Sequence, residues 1–404
     1  MKIRTITYGL RLDLSRQAET VRQLAQATEV LQKAKQSCEA AGYSVQTVRV
    51  SLAPFLADLK EATQREKTLA ALDAFCESAS LDFLSLGPLY PGQLAVEQVV
   101  AILARYPAFN FSTVIAERGQ VLAAGVLEAA RIIKGLAGAT DDGLCNFRYC
   151  AIASCPPGIP FFPAAYHSSA PQDGPSLAVG LQMPDLAYQT VAELAPRLAL
   201  EGPQLLSEAL SQAIVTKLSP LQDLLSDFCA RPGRPLYAGL DLSLAPLGED
   251  SVVAVIEAAG LGKMGEAGTL AVVAALTEGL RQAGRWTTDK ERGPKTYLRT
   301  IGYNGLMLPI LEDGLLGQRA AEGLIDVQKL LMYSAVCGIG LDVVPLPGET
   351  SVQELARLLF DVAALSARYN KPLSARLFPV PGKKVGETTE FNSPYLTNTT
   401  VLKI

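Results

Sequence analysis

The chain carries a single histidine, His167, and seven cysteines among 404 residues. One imidazole excludes the sites that need several. Three-histidine zinc centres, HExxH proteases and two-histidine iron sites cannot be built within one such chain. His167 ends a stiff run, Pro160-Phe161-Phe162-Pro163-Ala164-Ala165-Tyr166. An imidazole held there can act as a general acid or base near neutral pH. The alternative is a ring that only hydrogen-bonds the loop backbone. Cys145, Cys150 and Cys155 are separated each time by four intervening residues. On a strand this turns the first two thiols to opposite faces, which is not zinc or cluster spacing.

Asp241, Glu312, Asp313 and Asp342 fall at predicted strand ends or in the loops that follow. Parallel α/β folds gather their sites there. Converging carboxylates would hold Mg²⁺ or Ca²⁺, with Asp241, Glu312 and Asp313 as the candidate ligands, or would form an acid/base pair. Single acids in such places usually cap helices or turns. Asn146, Arg148 and Arg376 also lie near predicted strands, and an inward arginine in a barrel calls for an anionic substrate or a carboxylate partner. Gly260-Leu261-Gly262-Lys263-Met264-Gly265 fits G-x-G-x-x-G, but it follows a predicted helix rather than a strand, so the dinucleotide context is missing. The stretch from Gly265 through Gly268 to Thr269 opens a helix, whose free N–H groups suit a carboxylate or phosphate.

These residues need elements to position them. Alternating strand and helix signals run through the first third: strands at 2–9, 44–52, 82–86, 109–116 and 146–153, and helices at 16–41, 66–80, 94–105 and 120–138. Ser15 is the expected N-cap of the first helix and Gly42 its close. Cys155 to Pro163, with four prolines, predicts a stiff extended loop. A strand at 176–182 follows, then a long helical stretch at 203–229, with a break expected near Pro220. The second half resumes with strands at 235–242, 298–303, 341–345 and 374–379. Its helices are expected at 251–259, 268–280, 326–336 and 352–369. Repeated units of this length imply a mainly parallel sheet with helices outside.

Half of the residues are hydrophobic, enough for a large core. Thirty-six basic against forty acidic residues, without a basic patch, predict no nucleic-acid partner. No stretch reaches the roughly 20 apolar residues that span a bilayer, and the first residues lack a signal-peptide core. The expectation is a cytoplasmic protein with reduced thiols and no membrane partner.

Several motifs in order carry a resemblance: Lys2-Ile3-Arg4-Thr5-Ile6-Thr7, Pro160-Phe161-Phe162-Pro163-Ala164-Ala165-Tyr166-His167, Leu240-Asp241-Leu242-Ser243-Leu244-Ala245-Pro246 and Cys337-Gly338-Ile339-Gly340-Leu341-Asp342. Together, over residues 2 to about 391, they resemble domain-of-unknown-function family 711, also called uncharacterised protein family 0210. The resemblance implies a barrel of the pyruvate formate-lyase type, two half-barrels of parallel strands with helices outside. The expected organisation is one large α/β barrel domain over 1–404, with halves at 1–182 and 183–404. By the same analogy Cys337 would occupy the loop that carries a thiyl radical in radical enzymes of this shape. The glycyl signature those enzymes need is absent: the C-terminal segment reads Pro381-Gly382-Lys383-Lys384-Val385-Gly386. Cys337 would also sit at a helix C-terminus, where the dipole disfavours a thiolate.

Two functions fit these residues. One is a non-radical enzyme acting on a small anionic metabolite, with His167, Cys337 and Asp241 as catalytic groups around a central cavity. The other is a non-catalytic ligand-binding or regulatory homo-oligomer, for which the alanine-rich helices would supply an interface.

Overall fold

The structure, a computed structural model, describes residues 2–13, 17–59, 61–170, 172–284 and 297–404. Ser15, the expected first N-cap, lies outside them. Among the described residues ten strands form one sheet: β1 (Lys2–Leu10), β2 (Ser44–Leu52), β3 (Phe83–Leu89), β4 (Phe109–Glu117), β5 (Gln120–Val121), β6 (Tyr149–Ala153), β7 (Ser176–Gln182), β8 (Leu236–Asp241), β9 (Gly340–Pro347) and β10 (Leu373–Val380). Their order is β8-β7-β1-β2-β3-β4-β6-β10-β9, with β5 beside β4. The pairing is mostly parallel. The antiparallel joints are β1–β7, β6–β10 and the short β4–β5.

Eleven α-helices are present among the described residues: α1 (Gln17–Ala40), α2 (Ala62–Ser78), α3 (Val96–Arg105), α4 (Ala123–Ala137), α5 (Pro184–Glu201), α6 (Leu205–Cys229), α7 (Val252–Glu257), α8 (Thr269–Gly284), α9 (Gly314–Ala321), α10 (Val327–Ser334) and α11 (Val352–Tyr369). None of them is long and apolar enough to cross a membrane. Helix α11 illustrates how local chemistry sets such an element. The Ser351 hydroxyl accepts from the Glu354 N–H at 3.2 Å, and the Glu354 carboxylate accepts from the Ser351 N–H at 2.8 Å. This reciprocal cap contributes about 1 kcal/mol. Leu355, Leu358, Leu359, Val362 and Ser366 recur at helical spacing and are buried. Asn370, left-handed at φ 46°, ends the helix.

Several sequence expectations need correction. The strand expected to stop before Gly87 continues to Leu89. Gly87 adopts φ +84°, where an added Cβ would lie 2.9 Å from Pro54 Cα, and the β3–β4 register shifts there. This is a bulge that only glycine permits at no steric cost. Asn146 and Arg148 sit on a 3₁₀ turn, Leu144–Arg148, not on a strand. Helix α6 runs unbroken through Pro220. The segment 298–303 is no regular strand: it touches β8 through one isolated bridge, Leu240 to Thr300. Further bridges join Leu244 to Leu306 and Pro309 to Asp342. Among the described residues, seven strands precede residue 183 and three follow it.

The two faces of the sheet differ in chemistry. Val48, Val50 and Leu52 of β2, Leu84 and Leu86 of β3, and Phe109 and Phe111 of β4 join the helices in the main core. Each such side chain, fully buried, contributes about 1.5–3 kcal/mol. The alternate positions are Thr47, Arg49 and Ser51, then Phe83 and Ser85, then Asn110 and Ser112, all buried. Period-two alternation sends these to the other face. Beyond that face lies a second, smaller apolar cluster that includes Ile159, Phe161, Tyr303, Met307 and Ile339.

Candidate functional site: a cavity of buried arginines

Six strands send one residue or more into a common cavity: Arg4 from β1, Arg49 from β2, Phe83 from β3, Asn110 from β4, Asp342 from β9, and Ser374 and Arg376 from β10. The loops between strands complete it, with Phe161 to Ala164, Tyr303, Met307, Glu312, Ile339 and, from the C-terminal segment, Tyr395. Arg4 occupies a register shift against β7, between Ile3 and Thr5. Such an irregularity re-aims a side chain out of simple alternation.

The charged groups form a chain of contacts. Arg376 holds Asp342 with both edges of its fork, Nε to Oδ1 at 2.5 Å and Nη2 to Oδ2 at 3.0 Å. The same Nη2 donates to Glu312 Oε1 at 2.8 Å, and Arg4 Nη2 donates to Glu312 Oε2 at 3.0 Å. All four residues are at most 8 % exposed. Burial works against the charge on Arg376, but Asp342 and Glu312 outweigh it and raise its pKa.

Arg49 has no such partner. It is 7 % exposed, and its only side-chain hydrogen bond among the described residues runs from Nε to the Thr47 hydroxyl at 3.0 Å. Phe83 and Phe162 lie against its guanidinium, with Cζ 5.0 and 5.2 Å from their centroids. Burial, and then repulsion by Arg4, lower its pKa to about 9, so it stays charged at neutral pH. Arg4 Nη1 is likewise buried without a partner. Three guanidiniums against two carboxylates leave the cavity with one excess positive charge.

Of the residues singled out from sequence, Glu312, Asp342 and Arg376 meet here. The expected meeting of His167, Asp241 and Cys337 around this cavity does not occur, since none of the three lines it. Asp241 is fully buried and ringed by donors. Its Oδ1 accepts from the Ser243 N–H (3.0 Å), the Ser243 hydroxyl (2.6 Å) and the Asn304 N–H (3.1 Å), and its Oδ2 from the Tyr303 N–H (2.8 Å). Burial raises its pKa, against the opposing pull of these bonds. It thereby pins the loop that carries Tyr303 to β8. His167 donates its backbone N–H to the Leu52 carbonyl, and its Nδ1 lies 3.4 Å from the Ser176 hydroxyl. Its Nε2 is buried without a partner, and burial lowers its pKa. Cys337 is buried just beyond α10, and its carbonyl accepts from Lys371 Nζ at 2.5 Å.

The other candidates are engaged within the fold. Arg148 donates to the carbonyls of Leu103 (2.6 Å) and Tyr106 (2.7 Å) at the end of α3. Asn146 Nδ2 donates to the Ile133 carbonyl. The N–H of Gly265 donates to the Tyr333 hydroxyl, and the Thr269 hydroxyl bonds the Glu266 carbonyl and Tyr333. At Gly268 an added Cβ would lie 2.5 Å from the Leu261 carbonyl oxygen. The start of α8 is therefore filled by its own loop. Asp313 caps two helices, accepting from Val252 and Val253 N–H with Oδ2 and from Leu315 and Leu316 N–H with Oδ1. No group of three His, Cys, Asp or Glu side chains among the described residues can hold a metal ion, so the expected Asp241, Glu312 and Asp313 ligand set for Mg²⁺ or Ca²⁺ does not assemble.

Sequence reading did not single out Arg4, Arg49, Phe83 or Tyr395. For Arg49 a signal that it faces away from the helices was present, though not which groups it meets. A strand covered by helices on its outer side reads as apolar, so Val48-Arg49-Val50 marks a polar interior face.

The family profile described as "Uncharacterised ACR (DUF711)" matches residues 1–392. The chain belongs to the DUF711 family. Curated relatives carry the name UPF0210 protein. The one from Pyrobaculum arsenaticum is 30 % identical over 261 residues, which cover 61 % of this chain and 52 % of that protein. That from Carboxydothermus hydrogenoformans is 31 % identical over 271 residues, 66 % of this chain and 57 % of its own length. The relative from Oenococcus oeni is 25 % identical over 412 residues, covering 96 % of this chain and 88 % of the relative. The chain thus spans about half the length of the first of these relatives. The DUF711 and UPF0210 names carry no activity.

Proposed function

We propose that this DUF711 protein binds a small anion in the arginine cavity. One observation carries the reading: Arg49 is a charged guanidinium, nine-tenths buried in a cavity wall, with no carboxylate partner. A buried, unpaired charge costs several kcal/mol, and an anionic ligand offsets that cost. The unpartnered Nη1 of Arg4 adds a second donor. We propose further that the sheet closes around this cavity as a barrel of the pyruvate formate-lyase type. The bridges from β8 to Thr300, from Leu244 to Leu306 and from Pro309 to β9 support closure along segment 300–310.

Binding is favoured over turnover by the state of the cavity acids. Glu312 and Asp342 both spend their oxygens on arginines, and neither is free to take a proton from a ligand. Of the hydroxyls that line the cavity, that of Tyr303 is held well above its usual pKa by burial. Thermal unfolding with and without a panel of small anions tests the reading. At least one anion should raise Tm by the amount that saturation implies, about 2.7 kcal/mol at a hundredfold excess over Kd. Arg49→Met should abolish the rise. An unchanged response in the variant, or no response to any anion, overturns the proposal. Consumption of the stabilising anion, followed by NMR, would replace the binding reading with the enzymatic one.

A further inference from the structure

The same cavity constrains what kind of anion it takes, and this step rests on the anion-binding reading above. The first constraint is charge. Arg4, Arg49 and Arg376 against Glu312 and Asp342 leave one positive charge to neutralise. A monoanion balances it, whereas a dianion would leave a buried negative charge in its place, which is costly.

The second constraint is the shape of the receiver. Phe83 and Phe162, whose ring centroids are 6.4 Å apart, lie together toward one side of the Arg49 guanidinium, and its Nε is taken by Thr47. The edge carrying Nη1 and Nη2 makes no hydrogen bond among the described residues. Two parallel N–H groups in one plane match the two oxygens of a carboxylate, fork to fork.

The third constraint is room. The space open to the centre of a water-sized sphere is ≈ 50 Å³. That holds about three to five non-hydrogen atoms at the volume a water needs. The fourth is the remaining wall. Ala245, Met307 and Ile339 are apolar, buried and face the same cavity. A ligand with one charged end and one short apolar end satisfies both kinds of wall.

We propose that the ligand is a short-chain monocarboxylate, its carboxylate on the open edge of Arg49 with Arg4 beside it, and its alkyl end against Met307 and Ile339. The test is isothermal calorimetry of the full chain with acetate, propanoate, butanoate and hexanoate, and with phosphate, sulfate and propanamide, at matched ionic strength. Affinity should rise a few-fold from acetate to propanoate, as burial of a CH₂ implies, and fall at butanoate and hexanoate, which exceed the space. Phosphate and sulfate should bind at least about tenfold more weakly than the best carboxylate, and propanamide not measurably, because the charge-assisted pair is lost. Arg49→Lys keeps the charge and removes the fork, so it should weaken carboxylate binding about tenfold while leaving any weak sulfate binding nearly unchanged. Far-UV circular dichroism of each variant establishes that it is folded. Should a variant not fold, line broadening of ¹³C-acetate by the wild-type chain, with competition by propanoate and by sulfate, ranks the same ligands.

Sulfate or phosphate binding as tightly as the carboxylates, with loss in Arg49→Met, would overturn the monocarboxylate inference and leave the anion cavity standing. A flat response to chain length would overturn it as well. No binding by either class would bring down the cavity reading itself.

Discussion

Glu312 and Asp313 are neighbours in the chain and belong to opposite kinds of buried acid. Asp313, like Asp241, is surrounded by backbone N–H groups and ties loops and helix starts together. Glu312, like Asp342, is surrounded by guanidiniums at a cavity wall. The first kind balances its charge entirely within the fold. The second belongs to a set whose charges do not cancel, and the remainder faces an open space. Burial alone therefore says little about what an acid does; the identity of its donors decides between scaffold and site.

The contrast can be broken by substitution. Asp241→Ala should have the largest effect, since it orphans four buried donors, at roughly 4 kcal/mol or more in urea unfolding. A loss below about 1 kcal/mol would mean that water or relaxation replaces the carboxylate and that the scaffold assignment is wrong. Asp313→Ala removes the N-cap of α9 and the acceptor of the Val252 and Val253 N–H groups of α7, which keeps Ser251 as its own cap, and should cost about 2–3 kcal/mol. Glu312→Gln should cost less, about 2 kcal/mol, and should tighten anion binding, because the cavity charge rises from one to two positive. If affinity falls instead, Glu312 contacts the ligand directly.

His167 belongs to neither kind and supplies a smaller, pH-dependent effect. Burial lowers its pKa in the folded state below the ordinary 6.5. The unfolded chain then binds the proton first. Stability is full above about pH 6.5 and is lost as pH falls through the lowered folded value. Urea midpoints for wild type and His167→Gln between pH 7.5 and 5 would report it, and parallel curves would remove the imidazole as the cause. Arg49→Met is the one substitution expected to raise stability, by about 1–4 kcal/mol in the same urea unfolding, since an uncompensated buried charge is replaced by an apolar side chain of similar length.

Much of this arrangement was readable before any coordinates. The strands expected at 2–9, 44–52 and 176–182 and the helix expected at 352–369 lie within a residue of the observed bounds of β1, β2, β7 and α11. Helices α5 and α9 were not read, for local reasons. Pro184 and Pro196 make the first resemble a broken loop, and Gly314 and Gly317 weaken the helical signal of the second. Segment 298–303 has strand composition but folds onto Asp241, and Gly302 lies so close that an added Cβ would sit 2.0 Å from Oδ2. At the site, Arg376, Glu312 and Asp342 were legible as polar groups at strand ends. His167 and Cys337 drew notice through rarity or analogy, and neither bears on which groups share a space. Arg4 and Arg49 required knowing that the inner face of β1 and β2 meets β9 and β10 across the sheet.

Arg4 meets Glu312 across 308 positions of sequence. Contacts of such separation form slowly, because a long loop must close before they reward it. The strand–helix units of the amino-terminal half can gather their core early, while the cluster that joins β1 to β9 and β10 must wait for the carboxy-terminal strands. Ligand affinity should then emerge with the last refolding phase, and retention of ligand becomes a readout of complete assembly rather than of secondary structure.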